Sequence, residues 1–244
     1  MDDKNMSVTE HLSELRRVFL VSFIAVFIAS VIIYLGFRER ILEFFLQPVK
    51  DMEVSFVFVG MTEAFLTKIK LSVLAGFIIA LPVVSWQVWS FIVPALRPNE
   101  KKFVYILVPI SLVLFVCGIV FAYTTVFHLA ARFLLVEAGE GLQPMIAISK
   151  YISFIIYFLL PFGIVFQLPL VVAFLSRTGI VTAKALAEKR KHAILVIFTV
   201  AAILTPPDII SQILLAGPVL VLYEVSILVA KIIKPKKKPV EENA

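Results

Sequence analysis

Residues 81–102 read LPVVSWQVWSFIVPALRPNEKK, and this stretch decides the fold. Its apolar first half carries Trp86 and Trp89 one helical turn apart, where a membrane helix usually carries its interfacial aromatic belt. A proline and a short basic loop follow, and another long apolar run starts at Phe103. The stretch therefore predicts a transmembrane helix that leaves the bilayer, a basic loop that contains Glu100, and a second helix that re-enters the bilayer.

The composition extends this interpretation to the whole chain. Of its 244 residues, 61% are hydrophobic and only 16% are charged, whereas soluble domains are about 45–50% apolar and about 25% charged. At about 20 residues per span, the length allows roughly six helices and no large soluble domain. We predict an all-α polytopic membrane protein whose last two spans are short. It is expected to form one integral membrane domain over residues 1–244, with spans at about 18–37, 63–89, 103–135, 151–175, 193–205 and 209–230.

Several function classes lack their sequence signals. Cys117 is the only cysteine, the three histidines are far apart, and the chain has neither a glycine-rich phosphate loop nor a nucleophile elbow. We therefore predict that the protein holds no metal, and no cofactor is expected. The net charge of +6 is expected to meet the membrane surface and its lipids rather than nucleic acid.

The distribution of cations predicts the orientation. The N-terminus, the loop near residue 100, the loop 176–191 and the C-terminus together carry 16 of the 23 Lys and Arg residues. The positive-inside rule places the richer side in the cytoplasm. Both termini are therefore predicted to be cytoplasmic.

The fifth predicted span is unusually short. Its 13 residues, 193–205, reach roughly 20 Å, against a hydrocarbon thickness of roughly 30 Å. Two prolines end it, and Asp208 is the predicted N-cap of the next helix. Around Ile203 and Leu204, its outer side is either a docking surface for a partner's short helix or a face that packs on the other spans.

The predicted outer loop 38–61 has two parts. In the first part, apolar residues at helical spacing predict a helix along the interface: Ile41, Leu42, Phe45 and Val49. In the second part, residues 54–59 (VSFVFV) have strand-like composition without an obvious partner, and we expect them to be extended and buried. Thr62 is the expected N-cap of the second span, with Glu63 at the positive end of its dipole.

Two polar residues fall within predicted spans. Gln167 lies between Pro161 and Pro169, so the fourth span is predicted to bend there and Gln167 to face a cavity or another helix. Glu224 is expected to pair with Lys231 or with another cation of the inner surface.

Two carboxylates, Glu14 and Glu100, are predicted to share the cytoplasmic side, each at a helix end in a basic rim. Such acids suit a cationic guest, above all arginine, because its planar guanidinium binds a carboxylate with two hydrogen bonds. The alternative is that each is an ordinary rim charge, Glu14 paired with Arg16 or Arg17 and Glu100 with a cation of its loop.

Six motifs occur in order along the chain: HLSELRR at 11–17, PV at 48–49, LPVVSWQVWSFIVPAL at 81–96 with Glu100, FAYTTVF at 121–127, QLP at 167–169 and LTPPDIISQ at 204–212. Together they resemble TatC of the twin-arginine protein translocase over nearly the whole chain. The resemblance implies a receptor, not an enzyme, in the bacterial cytoplasmic membrane, which binds twin-arginine signal peptides of folded proteins at the cytoplasmic face. It also implies self-association, TatA- and TatB-type single-span partners, and export driven by the proton-motive force.

The resemblance also implies roles for particular residues. Glu14 and Glu100 fall on the family's signal-peptide acids, and Arg16 and Phe91 on adjacent functional positions. Functional positions of the outer loops correspond to three further residues: Pro48, Asp208 and Gln212. The chain departs from the family at Gln167, where a glutamate is usual, so an ionised group is not available there and only a neutral polar contact is expected.

A second class of function, a small-solute secondary transporter, would also suit broken helices and a mid-span polar residue. Against it, the sequence shows no convincing internal repeat and little intramembrane charge. An intramembrane hydrolase is disfavoured, because neither a Ser/His pair nor paired aspartates lie at membrane depth.

Overall fold

A computed structural model of the chain describes residues 8–52, 54–93, 98–137, 145–205 and 208–233. The chain divides into two compact units, residues 1–116 with 134–156 and residues 117–133 with 157–244. In chain order, the helices are α1 (Val8–Gly36), α2 (Arg38–Leu46), α3 (Glu63–Ile92), α4 (Pro98–Phe121), α5 (His128–Arg132), α6 (Ile148–Val165), α7 (Leu168–Arg177), α8 (Ala183–Glu188), α9 (Arg190–Leu204) and α10 (Ile209–Ile232). The strands are β1 (Ser55–Val57) and β2 (Met145–Ala147).

Within the described residues, five helical segments are long and apolar enough to cross a membrane: Leu12–Gly36, Glu63–Ile92, Val104–Glu137, Ile148–Arg177 and Ile209–Ile232. The prediction of an all-helical polytopic membrane protein is confirmed. The third segment continues α4 through two π-helical stretches that flank α5, Ala122–Phe127 and Phe133–Glu137. At 34 residues it exceeds the roughly 20 needed to span.

The prediction that both last spans are short is half right. Helix α9 has 15 residues and reaches only about 22 Å. Helix α10 has 24 residues, which give about 36 Å, because the helix continues through Pro218. A short helix therefore precedes a full-length one, and in this unit α10 packs on α7, α8 and α9.

The first unit contains a two-stranded parallel sheet that corrects the interpretation of residues 54–59. Strand β1 pairs with β2 in the register Ser55↔Met145 through Val57↔Ala147, so the partner that the sequence did not reveal lies just before α6. The Phe56 ring packs 5.0 Å from that of Tyr151, but Phe58 is exposed, so the expected burial of the whole stretch is wrong.

The helix predicted in the first part of the outer loop is confirmed as α2, which buries Phe45, whereas its position along the interface stays a prediction. Its chain continues into a 3₁₀ turn, Gln47–Met52, in which Val49 is buried and which contains Pro48. The Tyr151 hydroxyl donates a hydrogen bond to the Phe45 carbonyl at 2.8 Å. This contact fixes α2 against the start of α6 within the first unit.

One predicted cap is confirmed and one is wrong. Asp208 precedes α10 in an extended conformation, and its Oδ1 accepts the amide hydrogen of Ser211 at 2.6 Å. Thr62 has helical backbone angles and its side chain makes no capping hydrogen bond. Glu63, the next residue, instead accepts the amide hydrogens of Val59 and Gly60, which precede the helix.

Candidate functional site

Glu14 lies on α1, where its side chain is half-buried. Its Oε2 atom is excluded from solvent and has no hydrogen-bond partner among the residues that the structure describes. Arg16 and Arg17 are exposed, and no described ion pair joins either of them to Glu14. The alternative in which Glu14 is neutralised by its own arginines therefore lacks support from the described contacts.

Glu100 is the third residue of α4, where a carboxylate interacts favourably with the positive end of the helix dipole. Its side chain lies outside the described part of the chain. That Glu100 and Glu14 lie close enough to share one guest therefore stays a prediction from the sequence. Phe91 is in the last turn of α3, immediately before the loop that leads to Glu100.

Gln167 lies at an interruption between two helices. Helix α6 ends at Val165 and α7 begins at Leu168, so the predicted break near Pro169 is confirmed. The backbone N–H of Gln167 donates to the backbone carbonyl of Ile164 at 3.0 Å, and the backbone carbonyl of Gln167 accepts from the N–H of Val171 at 2.9 Å. Both backbone groups of Gln167 are therefore satisfied at the break, as a bilayer interior requires. The expectation that the side chain faces a wet groove stays a prediction.

Glu224 pairs with a cation of the predicted inner surface, as expected. Arg190 at the start of α9 donates from Nε and Nη2 to the two carboxylate oxygens, at 2.7 and 2.8 Å. These hydrogen bonds, and the negative charge of Glu224, raise the pKa of Arg190. The neighbouring Tyr223 hydroxyl donates to the Leu186 carbonyl at 2.8 Å. Together the contacts fasten α8 and the start of α9 to α10.

Side chains cap α10 and join it to α9. Gln212 donates from Nε2 to the Phe198 carbonyl at 3.0 Å, which ties α10 to α9. The second carboxylate oxygen of Asp208 is buried without a partner among the described atoms. At the end of α9, Ile203 is 77% exposed whereas Leu204 is half-buried. An outward apolar face therefore exists at Ile203, and Leu204 belongs to it only in part.

Glu63 is the polar residue whose importance the sequence did not show. Its Oε2 accepts amide hydrogens from Val59 at 2.6 Å and Gly60 at 3.1 Å, and its Oε1 accepts that of Ser149 at 3.1 Å. One carboxylate thereby holds the segment that precedes its own helix and also caps the start of α6. The only sequence signal was an acid at the first position of a helix, which is compatible with many surface residues.

No group of three or more His, Cys, Asp or Glu within the described residues could hold a metal ion. The Glu14 carboxylate stands alone, so it suits a hydrogen-bond donor better than a metal ion, which needs several ligands.

Comparisons with known proteins agree on one family. The family model described as Sec-independent protein translocase protein (TatC) matches residues 10–218. The Sec-independent protein translocase protein TatC of Carboxydothermus hydrogenoformans is 50% identical over 238 residues, covering 97% of this chain and 98% of that protein. The Aquifex aeolicus protein of the same name is 38% identical over 244 residues, covering 97% of this chain and all of its own length.

The same family is found among solved structures. A crystal structure of a twin arginine translocase receptor, TatC, matches with a TM-score of 0.82 at 38% identity, covering 91% of this chain and 99% of that one. The match extends over both compact units and nearly the whole length of each protein. The chain therefore belongs to the TatC family, and it is a non-enzymatic component of the Sec-independent protein translocase.

Proposed function

We propose that this chain is the signal-peptide receptor of a twin-arginine translocase and that Glu14 and Glu100 bind the two guanidiniums. The observation that carries the proposal is the Glu14 Oε2 atom, which is buried without a described partner. A carboxylate oxygen removed from water without a donor is costly, and a guest that supplies the donor recovers that cost. Arg16 and Phe91 border these acids and complete the recognition surface.

Arginine suits this site better than lysine for a geometric reason. A guanidinium offers two parallel N–H donors to one carboxylate, whereas an ammonium is a point charge without that fork. Each charge-assisted pair is worth about 1.5–3 kcal/mol. The Arg190–Glu224 contact is an example of this bidentate geometry within the same chain.

The receptor acts with its peptide-binding surface in the cytoplasm, in the cytoplasmic membrane of a bacterium. The proposal includes six spans, with α9 as a short fifth, in one integral membrane domain with both termini inside. Cysteine labelling from outside should reach positions 50–60 and 138–142 and should spare positions 97–102. Labelling at 97–102 would reverse the orientation and exclude a cytoplasmic site at Glu100.

Single-span partners of TatA and TatB type dock on the outward face of α9, and the receptor associates with further copies of itself. The exposed Ile203 on a helix too short to span supports this surface. Photo-crosslinkers at positions 203 and 204 should capture such partners during export driven by the proton-motive force. Adducts confined to other helices would move the partner surface elsewhere.

The outer turns have a supporting role. Pro48 shapes the 3₁₀ turn after α2, Asp208 caps α10, and Gln212 joins α10 to α9. Gln167 provides a neutral polar contact at the break between α6 and α7.

The deciding experiment is a double-mutant cycle between each acid and each arginine of a synthetic signal peptide, with the purified protein at two salt concentrations. Glu14→Gln and Glu100→Gln should each weaken binding. If both acids bind the same arginine pair, the loss of binding free energy in the double variant should be smaller than the sum of the two single losses. Glu188→Gln, a neutralisation of an exposed acid on α8, is the matched control and should change little.

Salt and the guest's chemistry supply two further checks. Higher salt should weaken the interaction, because the site lies at a wet surface. Replacing both arginines of the peptide by lysine should lower affinity although the charge is kept. Zero coupling energy for both acids in folded protein would remove the recognition site proposed here.

A further inference from the structure

Two cations share one carboxylate oxygen where α1, α2 and α3 meet in the first compact unit. Glu39 Oε1 lies 2.7 Å from Lys68 Nζ and 3.5 Å from Arg38 Nε, so the two nitrogens are no farther apart than these two distances combined. Arg38 follows the first membrane-spanning segment by two residues, and Lys68 lies in the second turn of the next segment. These three residues, the Glu39 cluster, therefore lie where two spans reach the membrane boundary.

Most hydrogen-bond donors of the Glu39 cluster are unused within the described part of the chain. The described contacts involve one hydrogen of the Lys68 ammonium and only Nε of the Arg38 guanidinium. An ammonium has three N–H donors and a guanidinium has five, so both cations can still donate to a ligand. The Arg38 side chain is 44% exposed and that of Lys68 is 29% exposed. Because two cations face one acid, the cluster keeps a net positive charge and attracts an anion.

Aromatic and apolar groups adjoin the Glu39 cluster. The Arg38 guanidinium lies 5.4 Å from the centre of the Tyr34 ring, which meets the Phe65 ring edge-on at 6.2 Å. From this end of α1, an exposed apolar stripe runs toward the bilayer interior at helical spacing: Ile28, Ile32 and Leu35. A charged group at the boundary with an apolar stripe beside it matches the two parts of a phospholipid.

We propose that Arg38 and Lys68 bind the phosphate of one anionic phospholipid, phosphatidylglycerol, whose acyl chains lie along the stripe of α1. The two unesterified oxygens of a phosphate diester can each accept a charge-assisted hydrogen bond, one from each cation. The glycerol hydroxyls of the headgroup can donate to Glu39, whereas the choline of phosphatidylcholine would bring a third cation to the cluster. Placement of this site in the outer leaflet rests on the orientation proposed above.

The anion is a lipid rather than a dissolved ion because the Glu39 cluster is exposed. An exposed ion pair contributes little on its own, since water and salt screen it. A phospholipid is already held at this depth by the bilayer, so its headgroup has a high effective concentration beside the cluster. Its acyl chains also contact the apolar stripe. A dissolved phosphate has neither advantage.

Native mass spectrometry of the purified full-length chain in a non-ionic detergent gives a direct test. The protein is titrated with phosphatidylglycerol and, separately, with phosphatidylcholine of the same acyl chains. The dissociation constant of the first bound lipid is measured in each titration. One cation beside an anionic headgroup strengthens binding about fivefold, so phosphatidylglycerol should bind at least about fivefold more tightly. Equal affinity for the two lipids would overturn the proposal.

Single neutral substitutions locate the bound lipid. Arg38→Gln and Lys68→Gln should each lower the affinity for phosphatidylglycerol about fivefold and leave that for phosphatidylcholine unchanged. Arg40→Gln is the matched control, because it removes the same charge from an exposed position of α2 that has no described ion pair. It should change the affinity little. If Arg40→Gln weakens binding as much as Arg38→Gln does, the lipid responds only to overall charge and the proposal fails.

Glu39→Gln separates a lipid site from a purely structural cluster, because the two predict opposite signs. At a lipid site, loss of the competing carboxylate releases both cations and should raise the affinity for phosphatidylglycerol severalfold, while the amide oxygen still accepts from the headgroup hydroxyls. In a structural cluster, loss of the contact between α2 and α3 would lower the affinity, as in Lys68→Gln. A lower affinity in Glu39→Gln would therefore contradict the proposal.

Other occupants are outcomes of the same spectra. Excess inorganic phosphate should not displace the bound lipid, and displacement would assign the Glu39 cluster to a dissolved anion. A dimer fraction that falls in Arg38→Gln, with lipid affinity unchanged, would assign the cluster to an acid of a second copy. Either result overturns the proposal. Preference for arginine over lysine peptides should persist in Arg38→Gln, so a failed lipid site leaves the receptor function intact, whereas absence of that preference in the native protein would refute the receptor function and not the lipid site.

Discussion

A substitution at the crossing of α1 and α3 tests how the first unit is held together. A Cβ atom added at Gly76 would meet the Ser30 hydroxyl and lie 2.5 Å from the Ser30 nitrogen and 2.7 Å from its Cα. Carbon atoms in favourable contact are about 3.5–4.0 Å apart, so Gly76→Ala must separate the helices by about 1 Å. Two of the three obstructing atoms are backbone, and a change of rotamer cannot remove them.

The cost follows from that displacement. A radial gap of about 0.5–1 Å forfeits a quarter to a half of each dispersion contact, and overpacking of this kind costs about 1–3 kcal/mol. Alanine returns up to about 1 kcal/mol through its higher helix propensity. We therefore expect a net loss of about 1–2 kcal/mol, which lowers the melting temperature by roughly 2–8 °C. Thermal unfolding in detergent, followed by tryptophan fluorescence, measures the shift.

A second glycine supplies the control. Gly217 lies inside α10, and a Cβ added there meets nothing within 4 Å. Gly217→Ala should therefore be neutral or stabilising through helix propensity. Adding Ser30→Ala to Gly76→Ala should restore only part of the loss, because the backbone contacts remain. A Gly76→Ala protein as stable as Gly217→Ala would show that the two helices do not cross as closely as this.

Four further substitutions have defined outcomes. Glu63→Gln should speed hydrogen exchange just before α3, at Val59 and Gly60, and at the start of α6, measured by mass spectrometry, because a neutral amide is a weaker acceptor for three backbone amides. Arg190→Lys should loosen α9 from α10 in spin-label distance measurements, because lysine keeps the charge but cannot grip Glu224 with two donors. Gln167→Leu should weaken export in cells while leaving the protein folded; a silent change would mean that the amide only packs. Lys68 on α3 donates a hydrogen bond to the Glu39 carboxylate, and this bond holds the pKa of Glu39 below the usual 4.5. The contribution of this contact to stability is therefore present above pH 4.5 and is lost as pH falls through the lowered pKa. Glu39→Gln should consequently destabilise the protein near neutral pH and make little difference in acid.

The helices were predictable wherever a long apolar run had clear ends. The sequence placed α10 from its cap at Asp208, and it placed the break at Gln167 from the flanking prolines. It also predicted that Glu224 would find an inner-surface cation, although not which one. The cap and the break depend on residues close in sequence, and the length of a span depends on the thickness of the bilayer, so both kinds of feature can be inferred from a single sequence.

The outer contacts were not predictable because they join distant segments. Strand β2 has only three residues, too few for a periodic signal, and it pairs with β1 across some 90 residues of chain. Thr62 matched the usual capping preference, yet its side chain makes no capping hydrogen bond, whereas the longer side chain of Glu63 reaches Ser149 at the start of α6. A preference for one residue type at a helix start cannot reveal a second helix that competes for the carboxylate.

The lipid environment explains why the apolar surface gives so little information on neighbours. Phe19, Phe23 and Phe27 stack along α1 with ring centroids 6.4–6.5 Å apart and are largely exposed, as side chains that face lipid can be. In water such a stripe would predict a buried contact, but lipid is as apolar as the side chains and drives no association. Helix positions must then be specified by close approach, as at Gly76, and by polar contacts such as that of Glu63. Because these determinants are single residues without periodicity, hydropathy locates the spans but leaves their neighbours undetermined.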